Sequence, residues 1–339
     1  MPPEYSFVIP VLNERDTLDE LHRRLGPVLD ELDGPSEIVL VDDGSDDGSF
    51  EIMCKLHDGD PRVKVVRLSR NFGHQVALTA GLDHAAGNAV IIMDADLQDP
   101  PEVAVELAAR WREGYDVVYA VRDGRAGESK VKIASANWFY RLMSRIGDVN
   151  LPTDTGDFRL VDRRVADAVT GMREHRRYLR GMFAWVGYDQ TGVHYVRDAR
   201  RHGATKFPLR RMLSFARDGI VSFSTAPLRL ALNFGFVVSV LSFLLGITAV
   251  VVKLTGLYEV PGLASIAVGI AFLGGVQLTV LGVMGEYIAG IHDEVKRRPL
   301  YLVREERGFD RVDQADVATH HEANSDADAV LRRRVTHSS

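Results

Sequence analysis

The segment VIIMDADLQ, residues 90–98, runs from four apolar residues straight into Asp94 and Asp96. In an extended chain, residues two apart point the same way, so the two carboxylates stand side by side at the tip of a strand. Like charges that close are stable together when a cation lies between them. A hard divalent ion such as Mg2+ or Mn2+ takes one or two carboxylates and completes its shell with phosphate oxygens and water. Such an ion neutralises a diphosphate as it leaves. An acidic pair after a strand also occurs in ordinary turns, so the surrounding pattern has to decide.

Residues 5–125 alternate between short Val- and Ile-rich runs and helical segments. YSFVIPVL, EIVLVDD, VKVVRLS, AVIIMDAD and DVVYAVR read as strands, with helices beginning near Arg15, Ser49, Gly73 and Pro101. That rhythm predicts a mainly parallel sheet covered by helices, in which ligands bind outside the carboxyl ends of the strands. The polar clusters PVLNE, DDGSDDGS, SRNFGHQ, DADLQD and RDGR each follow one of those strands. Five clusters at one sheet edge make a site. No GxxxxGK[ST] loop is present and no GxGxxG follows the first strand, which excludes a P-loop ATPase and argues against a dinucleotide fold.

Composition bounds the rest. The 339 residues are 46% hydrophobic with a net charge of −6 and a single cysteine, Cys54. Near-balanced charge argues against nucleic acid as a partner, and one cysteine forms no internal disulfide. The first residues read as a strand rather than a secretory signal. Two runs, Leu230 to Val252 and Leu263 to Met284, contain no Asp, Glu, Lys or Arg. Each reaches the ~20 residues that cross a bilayer core. Arg210, Arg211, Arg217 and Arg229 precede the first run, and Lys296, Arg297 and Arg298 follow the second. The excess of positive charge on these flanks predicts a multi-pass protein of the inner (plasma) membrane with its catalytic domain and both termini cytoplasmic. The expected organisation is a catalytic domain over 1–207, an amphipathic interface helix over 208–226 and a two-helix transmembrane hairpin over 227–290. A cytoplasmic tail over 291–339 follows, largely disordered after about residue 308.

The runs VIPVLNE, IVLVDDGSDDGS, RNFGHQVALTAGLDHAAG, MDADLQDPPE, TGDFRLVDR, RGMFAWVGY, RHGATKFPL and GGVQLTVLGVMGEYI resemble family 2 glycosyltransferases of GT-A fold. In particular they resemble the membrane-bound bactoprenol glucosyltransferases, with dolichol-phosphate mannose synthases more distant. The resemblance spans about residues 5–300, both apolar runs included. It implies an α/β nucleotide-sugar-binding domain and metal-dependent, inverting transfer of a sugar from a nucleoside diphospho-sugar to a polyprenyl phosphate. UDP-glucose is the donor expected, and the product would be a lipid-phosphate-sugar for cell-envelope glycosylation.

On that resemblance, Pro10 and Glu14 line the nucleoside and Asp42 binds the base or ribose. Asp94, with Ala95 between, and Asp96 serve nucleotide and metal, with Gln98 as a further metal ligand. Arg122 closes over the phosphates, and Arg200 and Lys206 grip the diphosphate or the acceptor phosphate. Lys132, Ser135 and Arg180 stand near the acceptor. Asp157 is the candidate base of the bacterial members, but the mannose synthases carry Ser there. A phosphate monoester with a second pKa near ~6 needs little deprotonation, so orienting the sugar or acceptor is the competing role. His74 reads equally as a helix start or a nucleotide contact. The resemblance also implies a homo-oligomer, a tetramer being the form it suggests. Ala267, Ala271 and Gly275 form a small-residue stripe for it. A processive polysaccharide synthase and a non-enzymatic nucleotide-sugar-binding scaffold or lipid translocator remain as alternatives. Against them stand the missing QxxRW motif, the small number of spans and the intact DxD.

Overall fold

The computed structural model describes residues 2–122, 155–196, 226–255 and 263–309. Strands β1 (Tyr5–Val11), β2 (Ser36–Asp42), β3 (Val63–Leu68), β4 (Ala89–Ile92) and β5 (Val117–Arg122) alternate with helices α1 (Leu18–Glu31), α2 (Ser49–Gly59), α3 (His74–His84) and α4 (Val103–Arg112). Then come β6 (Thr155–Asp162), α5 (Arg163–Gly171), α6 (Leu179–Trp185), β7 (Gln190–Tyr195), α7 (Ala226–Leu254), α8 (Leu263–Val295) and β8 (Val303–Arg307). All eight strands form one sheet in the order β7-β5-β6-β4-β1-β2-β3-β8.

Alternation along β1 explains the layering. Tyr5, Phe7, Ile9 and Val11 face one core with α1, α2 and α4, while Val8 faces another with α3, α5 and α6. Helix α3 lies so close to β1 that a Cβ on Gly81 would collide with the Val8 side chain. β1 runs parallel to β2 and β4, and β2 to β3. The mainly parallel sheet expected from the βα rhythm is present, with one antiparallel strand inserted in it and another, β8, at its edge. β6 lies between β4 and β5 and runs against both, while β7 is parallel to β5. The carboxyl ends of β1 to β5 therefore share one edge of the sheet, and the amino end of β6, at Thr155 to Asp157, joins them there.

α7 and α8 are the two apolar helices. Leu228–Thr248, with mean hydropathy 2.2, and Phe272–Val295, with 1.4, are long and apolar enough to cross a membrane, and neither stretch is buried in the protein. α8 has 33 residues, about 50 Å at ~1.5 Å per residue against ~30 Å of hydrocarbon. Its far end carries Glu286, Asp293 and Glu294 and leans on the loop before α6. Arg176 Nη1 donates to Glu286 at 3.1 Å, the His175 amide donates to Glu294 at 2.7 Å, and His175 Nε2 lies 2.9 Å from the Arg298 carbonyl.

Beyond α8 the chain returns to the sheet as β8, antiparallel to β3. Tyr301 donates to Asp83 at 2.8 Å, Arg173 grips the same carboxylate with two nitrogens, and His84 lies 3.1 Å from Glu306. Sequence patterning missed this strand, because VREER carries no apolar alternation. β8 thereby ties the chain that follows α8 to the edge of the sheet. The interface helix expected over 208–226, up to Ala226 where α7 begins, and the tail beyond residue 309 lie outside the described residues.

Candidate active site

Three strand-end loops are sewn together before any catalytic group is placed. Asn13, at φ 57°, receives the Asp46 amide on its side chain and donates its own amide to Ser45 Oγ. The Glu14 amide donates to Ser49 Oγ and the Arg15 amide to Asp47, while Asp47 also accepts from the Ser49 amide and hydroxyl. Asp43 accepts from the Phe72 and Gly73 amides at 2.7 and 3.0 Å, which fixes where α3 begins. Gly44, at φ +78°, lies where a Cβ would come within 2.7 Å of the Asn71 nitrogen and 2.8 Å of the Arg70 carbonyl carbon. Gly44→Ala therefore combines left-handed strain of about 1–2 kcal/mol with a backbone clash. We expect a lower unfolding midpoint by calorimetry.

Pro10 is buried at the tip of β1, opposite Val41 in register, and Asp42 pairs with Val11. Asp42 is fully buried. Its Oδ1 accepts from the Ser45 amide at 2.9 Å and its Oδ2 lies 3.3 Å from Arg67 Nε without a well-aligned hydrogen bond. Burial pushes its carboxyl up. As placed, Asp42 shapes the loop that follows β2. Glu14, in the loop after β1, is half-buried, with Thr17 donating to its carbonyl at 2.9 Å.

The carboxylates converge one strand further along. Asp94 leaves the end of β4, and Asp157 sits near the start of β6. Asp157 Oδ1 accepts from Arg180 Nε at 2.7 Å, and its Oδ2 lies 3.2 Å from His74 Nε2. The same His74 nitrogen is 3.6 Å from Asp94 Oδ1. Burial would raise the Asp157 carboxyl, but the charge of Arg180 and the hydrogen bonds from His74 and Arg180 outweigh it and hold it well below the usual carboxylate range. Asp94 moves the opposite way, to about 6. Burial is the main cause, His74 opposes it, and the charges of Asp157, Asp96 and Asp99 add to it. Burial pulls His74 down, but the hydrogen bond to Asp157 and the charges of Asp94 and Asp157 leave it raised.

Asp96 accepts from the Gln98 amide at 3.1 Å, Ala95 is buried between the two acids, and Leu97 holds φ 57°. Gln98 is 6% exposed, and its Nε2 has no hydrogen-bond partner among the described residues. The donor chemistry fits a hard divalent cation. Asp94 and Asp96 stand close enough for their charges to repel, and among the described residues no third His, Cys, Asp or Glu closes a protein cage around them. Mg2+ and Mn2+ suit that arrangement, because they keep positions for phosphate oxygens and water.

Arg122 ends β5 and lies over Gly156, where a Cβ would come within 2.6 Å of its Nη2. Its Nη2 is 3.3 Å from Asp99 Oδ2 and its Nε donates to the Tyr195 hydroxyl at 3.2 Å, while that hydroxyl donates to Asp99. Asp99 is 1% exposed, so the guanidinium is tethered from beneath. Below Asp157, buried Arg159 donates to the Gly156 carbonyl at 2.9 Å and packs 5.0 Å from the Phe183 ring. Burial draws its guanidinium down to about 10, so it stays charged near neutral pH.

The structure thus brings Asp94, Asp96, Asp157, Arg180 and Arg122 to one strand edge, with Pro10, Glu14 and Asp42 on the neighbouring strand ends. Lys132, Ser135, Arg200 and Lys206 lie outside the described residues. Sequence reasoning missed Asp99, Tyr195 and Arg159, and it left the place of His74 open. Only the position of His74 directly after Gly73, within a strand-end cluster, pointed toward the site.

Residues 6–170 match the family model described as glycosyl transferase family 2. The chain is 47% identical over 307 residues to an uncharacterized glycosyltransferase, YkcC, of Bacillus subtilis (strain 168), covering 91% of this chain and 95% of the relative. It is 40% identical over 299 residues to an SfII prophage-derived bactoprenol glucosyl transferase of Shigella flexneri, covering 88% of this chain and 97% of the relative. Among solved structures, glucosyl-3-phosphoglycerate synthase from Mycobacterium tuberculosis, in complex with Mn2+, UDP-glucose and phosphoglyceric acid, overlaps 65% of this chain and 78% of its own. The identity is 20% and the TM-score 0.45.

Proposed function

Because the chain belongs to glycosyltransferase family 2, with a GT-A α/β domain followed by two apolar helices, we propose that it transfers glucose from UDP-glucose to a polyprenyl phosphate with inversion at the anomeric carbon. The observation that carries this reading is the union of two features in one body. An acidic strand-end site faces paired arginines, and the second apolar helix is bolted to the loop that leads into Arg180. Relatives named as bactoprenol glucosyl transferases support the same acceptor and sugar.

In this reading the loops after β1 and β2 frame the nucleoside with Pro10, Glu14 and Asp42. Asp94, Asp96 and Gln98 would hold Mg2+ or Mn2+, which when bound supplies positive charge to the departing diphosphate. Arg122 closes over the same phosphates, joined by Arg200 and Lys206. The acceptor phosphate reaches the sugar from the membrane side past Arg180, Lys132 and Ser135. It is a dianion near neutral pH, so Asp157 orients sugar and acceptor rather than removing a proton. The enzyme's work is then positioning and charge placement. The hairpin lies in the inner (plasma) membrane with both termini cytoplasmic, which the return of β8 to the sheet supports.

Incubation of the purified chain with labelled UDP-glucose and polyprenyl phosphate should give a lipid carrying one hexose. A polymer would favour a synthase, and unchanged lipid a scaffold. A parallel series of sugar nucleotides, read by product mass, tests the choice of sugar.

The reading includes self-association through α8, up to a tetramer. A Cβ added at Gly274, Gly275 or Gly282 would meet nothing within 4 Å among the described residues, which leaves those positions open to a neighbouring helix. Ala271→Leu with Gly275→Leu should lower the mass of the assembly in a lipid nanodisc. A fully active wild-type monomer there would end this part of the reading.

A further inference from the structure

His74 holds an unusual position. It opens α3 directly after Gly73, whose amide is pinned by Asp43. The next residue, Gln75, accepts the Leu179 amide at 2.9 Å and so ties the start of α3 to the start of α6, the helix that carries Arg180. The ring is thereby held between two carboxylates that come from different strands, Asp94 after β4 and Asp157 on β6. An imidazole Nε2 carries one proton, so it donates to one of them, and Asp157 is nearer, at 3.2 Å against 3.6 Å. Arg180 holds the other Asp157 oxygen at 2.7 Å.

We propose that His74 is a positioning residue whose ring nitrogen, shared between Asp157 and Asp94, keeps the Asp157 carboxylate from joining the Asp94–Asp96 metal ligands, so that Asp157 stays free to orient the substrates. With both oxygens of Asp157 engaged, the carboxylate does not rotate. Remove the imidazole and Oδ2 loses its donor beside an acidic pair built to attract a cation. A divalent ion there would draw Asp157 in as a third carboxylate, and the orienting group would be lost to the reaction. This rests on the transferase reading above and adds a division of labour among its carboxylates.

The test uses the purified full chain with Mn2+, UDP-glucose and polyprenyl phosphate. His74→Ala should lower kcat about ten- to a hundredfold, the range set by one hydrogen bond to a charged group, with KM for UDP-glucose little changed. His74→Gln, whose amide also donates, should recover part of the loss. Mn2+ binding in the presence of UDP, followed by electron paramagnetic resonance, should be as tight in His74→Ala as in wild type, or tighter. Unchanged kcat, a loss confined to KM, or a glutamine variant as slow as the alanine variant would each overturn the proposal. Should wild type transfer no sugar to lipid phosphate, the failure falls on the transferase reading. The Mn2+ titration then decides alone, and weaker binding in His74→Ala overturns the positioning role.

Discussion

Asp96→Ala should abolish sugar transfer while leaving the protein folded and in the membrane. Asp96 stands in the turn after β4 and fills no part of the hydrophobic core, so its removal leaves the packing intact. What it removes is half of the carboxylate pair that would hold the divalent ion. An ion at a leaving diphosphate supplies several kcal/mol of charge stabilisation, and a loss of about 4 kcal/mol corresponds to about a thousandfold in rate. The measurement is turnover at saturating UDP-glucose across a titration of Mg2+ and Mn2+, beside an unfolding curve. Near-normal turnover at high metal concentration would show that Asp96 does not hold the ion. Chelation by EDTA should silence the wild type and be reversed by added metal.

Asp157→Asn should slow turnover by about a hundredfold or more, and the deficit should persist as pH rises. The variant keeps the shape of the side chain and discards the charge that faces Arg180 and His74. Truncating one member of a buried charge pair costs about 3–5 kcal/mol, part of it in orientation and part in stability. A carboxyl held well below its usual range is a weak proton acceptor. Above about pH 7 the acceptor phosphate has already lost its proton, so the ratio of wild-type to variant rates should stay level. Full recovery of the variant at high pH would instead identify Asp157 as the base.

Stability gives an independent reading of the same residue. The depressed carboxyl contributes stability above its unfolded value of about 3.9 and loses it as pH falls through the lower folded value. The difference in unfolding free energy between wild type and Asp157→Asn should therefore be present at pH 7 and shrink in strong acid.

The DxD pair and the strands that carry it were legible because their signals are local. Val and Ile runs ending in acidic or glycine-rich clusters need no tertiary knowledge to interpret. The direction of β6 was not legible, because TGDFRLVD has the apolar content of a strand but nothing in it says that it slides between β4 and β5 and runs against both. That single insertion brings Asp157 within reach of His74, 83 positions earlier in the chain. The apolar helices were plain from composition. The far end of α8 was not, since Glu286 and Glu294 find their partners only once the loop at Arg176 and His175 is folded beside them. The tether of Arg122 to Asp99 and Tyr195 likewise joins residues far apart in sequence.

The return of the chain to β3 bears on any attempt to make a water-soluble version of this enzyme. A fragment ending before the first span would keep the acidic site but lose Val303–Arg307, leaving the backbone of Val65 to Leu68 without its partner. It would also uncover the small cluster of Val39, Val41, Val66 and Leu68 that Tyr301, Val303 and Phe309 pack against. An open edge beside bare apolar surface invites pairing between copies of the fragment. The charged residues of VREER shield that edge in the full chain. A soluble design should therefore delete the hairpin from the middle and rejoin the segment from about Pro299 to Phe309 through a flexible linker, so that the eighth strand still closes the sheet.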